Sequence, residues 1–247
     1  MNNSYQDPVA AEKYIEFLES EDGKIQKEIL STAIFEQLKE NPGSEILEVG
    51  CGTGWLSFEL SKKFPHIFAS DISPTLLNIA RENSPSVTFM ENDICKALPF
   101  PEKKFDVIIL NMVLHDCVDQ KSALENIYTQ TKKNSTVIIT IPNPYYAFPV
   151  GNWKHNVFSF IFRKTPELLV KPYNILSKEK RLFFWNKSIP AYFYPLSEQI
   201  QNITSTGFSL LRLLDINSAQ DSKTYNLKYR LFRYPVFLLL VLKKTRE

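Results

Sequence analysis

Ile46-Leu47-Glu48-Val49-Gly50-Cys51-Gly52-Thr53-Gly54-Trp55 decides how the rest of the chain is read. Ile46–Val49 is a short β-forming run, and Trp55–Phe64 follows with helical spacing. Three of the chain's seven glycines lie between them. Without a Cβ the backbone can turn sharply and a ligand can reach the main chain. The helix that starts there offers N–H groups that have no partner within the helix. Strand, glycine turn and helix in this order open an α/β unit that binds its ligand at the turn.

The same rhythm continues on both sides. Residues 9–40 read as helical, with a break near Asp22-Gly23, and Asn41-Pro42-Gly43 is a turn. Strands are expected at Ile67–Ser70, Val87–Met90, Phe105–Leu110, Thr136–Ile141, Phe208–Ile216 and Tyr234–Leu242. Helices are expected at Pro74–Asn83, Gln120–Thr131 and Leu196–Thr206, the last ended by Gly207. The Tyr234–Leu242 run lacks polar interruptions and fits a strand buried on both faces. The sum is a seven-stranded, mostly parallel sheet in an α/β Rossmann-like fold, with helices on both faces. The rhythm breaks after Ile141, where seven prolines punctuate residues 142–195. The expected organisation is a single domain. Residues 1–40 form a helical cap, 41–142 the cofactor core, 143–195 an aromatic-rich lid inserted after the fifth strand, and 196–247 the closing helix and strands.

The glycine loop discriminates between ligands. A dinucleotide fingerprint places its third glycine at position 55, which is Trp55, and no Gly-Lys-Ser/Thr follows for a phosphate loop. Glu48-Val49-Gly50-Cys51-Gly52-Thr53-Gly54 instead resembles motif I of the class I S-adenosylmethionine-dependent methyltransferases. Further matches come in order. Asp71 ends the second strand 21 residues after Gly50, Asn92-Asp93-Ile94 follows the third, and Phe105–Asn111 runs into Met112 at the fourth. Pro195-Leu196-Ser197 to Gly207-Phe208 is similar to the family's late helix and turn. The resemblance implies S-adenosyl-L-methionine as cofactor and direct in-line methyl transfer, with no metal. Glu48, Gly50, Cys51, Gly52 and Gly54 are the expected loop contacts. Asp71 and Ile72 are expected at the ribose, Asp93 and Ile94 at the adenine, and Asn111 and Met112 at the methionine end.

Two residues are candidates for catalysis. His115 lies four residues beyond Asn111, just past the strand's C-terminal edge, where an imidazole could take a proton from a hydroxyl or amine. The alternative is a polar wall residue. Tyr14 stands in Ala10-Ala11-Glu12-Lys13-Tyr14, which resembles the N-terminal helix that closes over the cofactor in small-molecule members. It is expected to bind cofactor or substrate, or simply to pack. Cys51 and Cys117 have no basic neighbour in sequence to lower a thiol pKa, which argues against a nucleophile.

Composition limits the substrate. The chain has 247 residues, 44% hydrophobic and 23% charged, with a net charge of +2, which excludes disorder and a disulfide-stapled fold. Its three cysteines are an odd number, widely spaced, and read as free thiols in a reducing compartment. No leader or spanning run is visible, so a cytoplasmic protein is expected. Residues 143–195 hold eight Lys/Arg against two Asp/Glu and 14 of the 32 aromatics, and residues 223–247 are also basic. The body is acidic, which argues against nucleic acid. The aromatics, among them Trp153, Phe184, Trp185, Tyr192 and Tyr194, suit a small or medium-sized organic acceptor taking methyl on O, N or C. Interleaved lysines and arginines leave open peripheral membrane contact and a lipid or quinone acceptor. A non-catalytic cofactor-binding accessory protein is the third reading. The oligomeric state is not legible.

Overall fold

The computed structural model describes residues 4–39, 41, 44–144, 194–216 and 235–245, and the backbone of four short strands between residues 151 and 193. The seven main strands are β1 (Ile46–Val49), β2 (Ile67–Asp71), β3 (Thr88–Glu91), β4 (Phe105–Asn111), β5 (Thr131–Pro142), β10 (Phe208–Ile216) and β11 (Phe237–Lys244). They lie in the order β10-β11-β5-β4-β1-β2-β3. The five from β3 to β5 are parallel, whereas β11 runs antiparallel to both β5 and β10. The apolar tail strand is thus an interior strand, buried along most of its length.

Strand alternation explains the two layers. Ile46 packs into one cluster with Leu30, Leu60 and Leu77, under α2 (Glu21–Leu38), α3 (Trp55–Ser61) and α4 (Pro74–Asn83). Leu47 and Val49 point the other way, to Leu124, Ile127 and Ile203 of α5 (Gln120–Gln130) and α6 (Leu196–Ser205). Each buried aliphatic side chain contributes roughly 1.5–3 kcal/mol, and a charge at fully buried Ile108 would break the central layer. Among the described residues no helix is long and apolar enough to cross a membrane.

The expected break in the N-terminal helix falls elsewhere. α1 (Pro8–Glu19) ends at Ser20, whose hydroxyl accepts from the Gly23 N–H at 3.2 Å and caps α2. Gly23 lies inside the first turn of α2. There a Cβ would come within 2.1 Å of the Phe17 carbonyl, so it is close packing, not a turn, that demands glycine. Within residues 143–195, two antiparallel strand pairs are described. β6 (Gly151–Lys154) pairs with β7 (Glu167–Val170), and β8 (Glu179–Leu182) with β9 (Pro190–Phe193). Most of that segment, including Phe184, Trp185 and His155, lies outside the described residues.

Strand order fixes where a ligand can sit. From β1 the chain moves one way to β2 and β3, then crosses to β4 and β5 on the other side. The connections after β1 and β4 diverge, and the crevice between them at the strands' C-terminal ends is where open α/β sheets place ligands.

Candidate active site

The loop after β1 has three left-handed glycines, Gly50 (φ +75°), Gly52 (φ +55°) and Gly54 (φ +73°). Gly50 and Gly54 also have no room for a side chain: a Cβ at Gly50 would lie 2.3 Å from a Val113 methyl, in the turn after β4, and one at Gly54 would lie 2.8 Å from the Ala80 Cβ. A Cβ at Gly52 would press on the Tyr14 ring at 3.1 Å. The expected loop residues are thereby gathered under α1 and against the turn after β4.

Asp71 braces the loop. Its Oδ2 accepts from the Gly52 N–H at 2.7 Å and its Oδ1 from the Ser73 N–H at 2.9 Å. Ser73, not Asp71, caps α4, accepting from Leu76 N–H at 3.4 Å. A carboxylate accepts about four hydrogen bonds, so Asp71 keeps capacity for a ligand. Glu48 follows the alternation of β1 toward the α3 side, is 1% exposed, and accepts a hydrogen bond from the Ser57 hydroxyl of α3. Burial, reinforced by Asp71, pushes the Glu48 carboxyl up to about 8, and burial also raises Asp71. The Cys51 thiol is pushed up by burial and by the same two acids, which disfavours the thiolate.

The edge after β4 is held open by an unusual residue. Met112 has φ +60°, and its N–H is held by the Thr140 carbonyl at 3.1 Å and hydroxyl at 3.0 Å. The same hydroxyl donates to Asn111 Oδ1 at 2.8 Å. Left-handed non-glycine residues cost of order 1–3 kcal/mol and persist only where neighbours hold them. Next comes a single helical turn, Leu114–Asp116, placing His115 in a buried position. Burial pushes its imidazole down to about 3, so it is neutral at pH 7, and its Nε2 lies 3.7 Å from Asp116 Oδ1.

The N-terminal segment covers this edge. Tyr14 and Tyr5 meet edge to face at 5.9 Å between ring centres. The Tyr5 hydroxyl is hydrogen-bonded to Asp116, whose carboxyl is raised by burial and then by Asp71. Tyr14 senses Asp71, Glu48 and Asp116 together, after burial, as the causes that raise its phenol. Tyr5, Asp116, Ser57 and Thr140 are members that sequence reasoning missed. None belongs to a motif, and only the pairing of β4 with β5 brings Thr140 to Asn111.

Asp93 and Ile94 sit in a neighbouring loop. The Asn92 N–H donates to the Asp71 carbonyl at 2.8 Å, which ties that loop to the site. Asp93 Oδ1 accepts from Cys95 N–H at 3.0 Å, and the Ile94 carbonyl accepts from Asn126 at 2.9 Å. Ile72 is partly exposed beside Asp71. At the exit of the 143–195 segment, β9 runs beside the Leu114–Asp116 turn, and the buried Tyr194 donates to the Val118 carbonyl at 2.8 Å. Tyr194 is therefore an anchor at the rim of the crevice.

Known proteins share this fold. A family described as "Methyltransferase domain" matches residues 40–180, more than half of the chain. The chain is 27% identical over 100 residues to malonyl-[acyl-carrier protein] O-methyltransferase of Serratia marcescens, covering 40% of this chain and 39% of that protein. It is 25% identical over 130 residues to demethylmenaquinone methyltransferase of Paenarthrobacter aurescens, covering 52% and 49%. The chain thus spans less than half the length of these curated relatives. An S-adenosylmethionine-dependent methyltransferase from Mesorhizobium loti superposes with a TM-score of 0.70 at 18% identity, over 86% of this chain and 96% of that one, which shows the fold. With residues 40–180 matched and the sheet order in agreement, the chain belongs to the methyltransferase domain family.

Proposed function

We propose that the protein is an S-adenosylmethionine-dependent methyltransferase acting on a small or medium-sized organic acceptor. The observation that carries this reading is the Gly50–Gly54 loop, left-handed at three glycines and braced by Asp71, at the crevice between β1 and β4. The residues present fit the cofactor. The site gathers three carboxyl groups, Glu48, Asp71 and Asp116, that no lysine or arginine among the described residues pairs with. A ligand that is a sulfonium and an ammonium supplies the missing positive charge. When bound, S-adenosylmethionine supplies an activated methyl, so the protein needs neither a covalent intermediate nor a metal.

The chain's own residues then divide the work. Gly50, Gly52 and Gly54 let the main chain approach the amino-acid end, with Glu48 and Cys51 behind it. Asp71 and Ile72 take the ribose, and Asp93 with the Ile94 N–H takes the adenine. The Asn111 and Met112 main chain borders the sulfonium side. Tyr14 closes over the loop and excludes water. Orientation of this kind supplies roughly 7–11 kcal/mol of a two-reactant barrier. His115 is held as neutral imidazole, the form that accepts a proton from a hydroxyl or amine acceptor. Residues 143–195 serve as the lid, consistent with the anchoring of their exit beside the Leu114–Asp116 turn.

The relative named as an O-methyltransferase favours oxygen among the acceptor atoms O, N and C. A second reading, a quinone or lipid acceptor at a membrane surface, is favoured by the demethylmenaquinone relative and by the basic, aromatic 143–195 segment. The test is calorimetry with S-adenosylmethionine and S-adenosylhomocysteine, followed by an acceptor screen for S-adenosylhomocysteine release. Binding of both and turnover with an acceptor are expected. No heat with either ligand would end the reading, and binding without turnover on any carboxylate, phenol, amine or quinone would leave an accessory protein. Salt-sensitive flotation with anionic vesicles would select the membrane alternative.

A further inference from the structure

A groove of about 480 Å³ opens beside α3. That volume is in the range of small-molecule sites. Gly52, Asp71, Asn111 and His115, which mark the cofactor crevice, do not line it, so it is a separate space. Its floor is apolar. Ile15 and Leu18 come from α1, Trp55 and Phe58 from α3, and Ile79 from α4. Phe58 is 40% exposed there, which leaves an aromatic surface uncovered. The rim is charged. Glu19 pairs with Lys27 at 3.3 Å, and Glu59 with Lys62 at 2.7 Å. Glu28, on the same rim, is exposed and forms no ion pair among the described residues. Lys62 Nζ lies 4.1 Å from the centre of the Phe58 ring, so this ring already holds a cation against its face. One uncompensated carboxylate beside two aromatic side chains suits a cation carried on an apolar body.

We propose that this groove is a second small-molecule site, that it takes an amphipathic amine, and that its occupant tightens cofactor binding. The coupling half rests on the function proposed above; the site half does not. The walls carry the coupling. Ile15 and Leu18 stand on the same helix as Tyr14, whose ring lies 3.1 Å from where a Cβ at Gly52 would stand. Thr53, also a wall residue, lies inside the glycine loop. Trp55 opens α3, and the Ser57 hydroxyl of that helix donates to Glu48. A molecule seated between Ile15 and Trp55 therefore touches both α1 and α3, the two helices that bracket the glycine loop. Its apolar body packs on Trp55, Phe58 and Ile79, and its ammonium reaches the Glu28 carboxylate. Holding α1 against α3 keeps Tyr14 over the loop. Linkage makes this reciprocal, so bound cofactor tightens the amine by the same factor.

The experiment uses the full chain and probes that share an indole body but differ in head group: tryptamine, tryptophol and indolepropionate. Calorimetry is run with and without saturating S-adenosylhomocysteine, which fills the crevice and leaves the groove open. Tryptamine is expected to bind the loaded chain about three-fold or more tighter than tryptophol, with indolepropionate weakest. Glu28→Lys should erase that preference, and Ile79→Trp, which fills the groove, should weaken all the probes by about ten-fold. Saturating tryptamine should raise S-adenosylhomocysteine affinity about five-fold in the unaltered chain and leave it unchanged in Ile79→Trp. No tryptamine binding to the loaded chain, or binding that neither substitution changes, would overturn the site. Equal binding of the head groups, or preference for the carboxylate, would overturn the amine. Binding that leaves S-adenosylhomocysteine affinity unchanged would overturn the coupling. If S-adenosylhomocysteine itself does not bind, the function proposed above falls, while tryptamine and the substitutions still decide the groove.

Discussion

Glu45 and Glu48 stand three residues apart at the two ends of β1, in opposite electrostatic states. At the N-terminal end, Glu45 pairs with Lys103 and with Lys132 at 3.2 Å, and Lys132 reaches Asp106 at 2.9 Å. Lys103 and Lys132 hold the Glu45 carboxyl below its ordinary range, and the Glu45 N–H, with Lys132, does the same for Asp106. At the C-terminal end, burial pushes Glu48, Asp71 and Asp116 the other way. One edge of the sheet neutralises its acids internally and is complete. The other gathers acids in a buried crevice where hydrogen bonds hold them and no lysine or arginine among the described residues pairs with them. Buried acids without a basic partner are candidates for a functional site.

The contrast can be broken most sharply at the glycine loop. Gly50→Ala should abolish cofactor binding by calorimetry. Its Cβ would meet Val113 at 2.3 Å in a left-handed conformation that costs of order 1–3 kcal/mol before the clash is counted. A variant that kept wild-type affinity would show that the loop does not need its close approach to the turn after β4.

Next in size is the pH dependence. The Glu48 carboxyl is raised from the ordinary carboxylate value to about 8 in the fold, so the folded state holds a proton that the unfolded state releases. Its contribution to stability is full below about pH 4.5 and is lost as pH rises through about 8. Glu48→Gln should flatten that part of a stability–pH profile measured by urea unfolding. A bound cation should draw the proton off, so S-adenosylmethionine affinity should rise with pH toward 8, more steeply than that of the uncharged-sulfur product. Equal slopes for the two ligands would separate Glu48 from the cation.

Smaller effects are expected from Tyr5→Phe, which removes one hydrogen bond to Asp116. A loss of about 0.5–1.5 kcal/mol in stability should appear as a melting temperature lower by about 2–4 °C per kcal/mol, with a smaller change in cofactor affinity. The smallest effect belongs to the other edge. Lys132→Met should cost at most about 1 kcal/mol in stability, diminishing with salt, because the cluster is partly exposed. Cofactor affinity should be unchanged, and any loss there would mean the two ends of β1 are coupled.

The local residues marked the elements well where punctuation was strong. Pro74–Asn83 and Phe208–Ile216 match their expected bounds, with Pro74 opening the helix and Gly207 standing just before the strand. The tail strand instead runs Phe237–Lys244, two residues past the expected end, since Lys243 and Lys244 continue the pairing with β10. Lys244 can remain there because its ammonium donates to the Tyr128 carbonyl at 2.8 Å and the Thr131 carbonyl at 3.0 Å. The break between α1 and α2 was misplaced because Gly23 serves close packing while Ser20 makes the cap.

The sequence alone determined the layered α/β architecture, the glycine turn and the residues expected around it, because these depend on periodicity and on backbone freedom within a few positions. Only tertiary structure decided that Tyr5, Tyr14 and Asp116 share one crevice and that Thr140 supports Met112. Those partners come from strands and loops far apart in the chain. No local pattern encodes which side chains a crossover will bring to one edge.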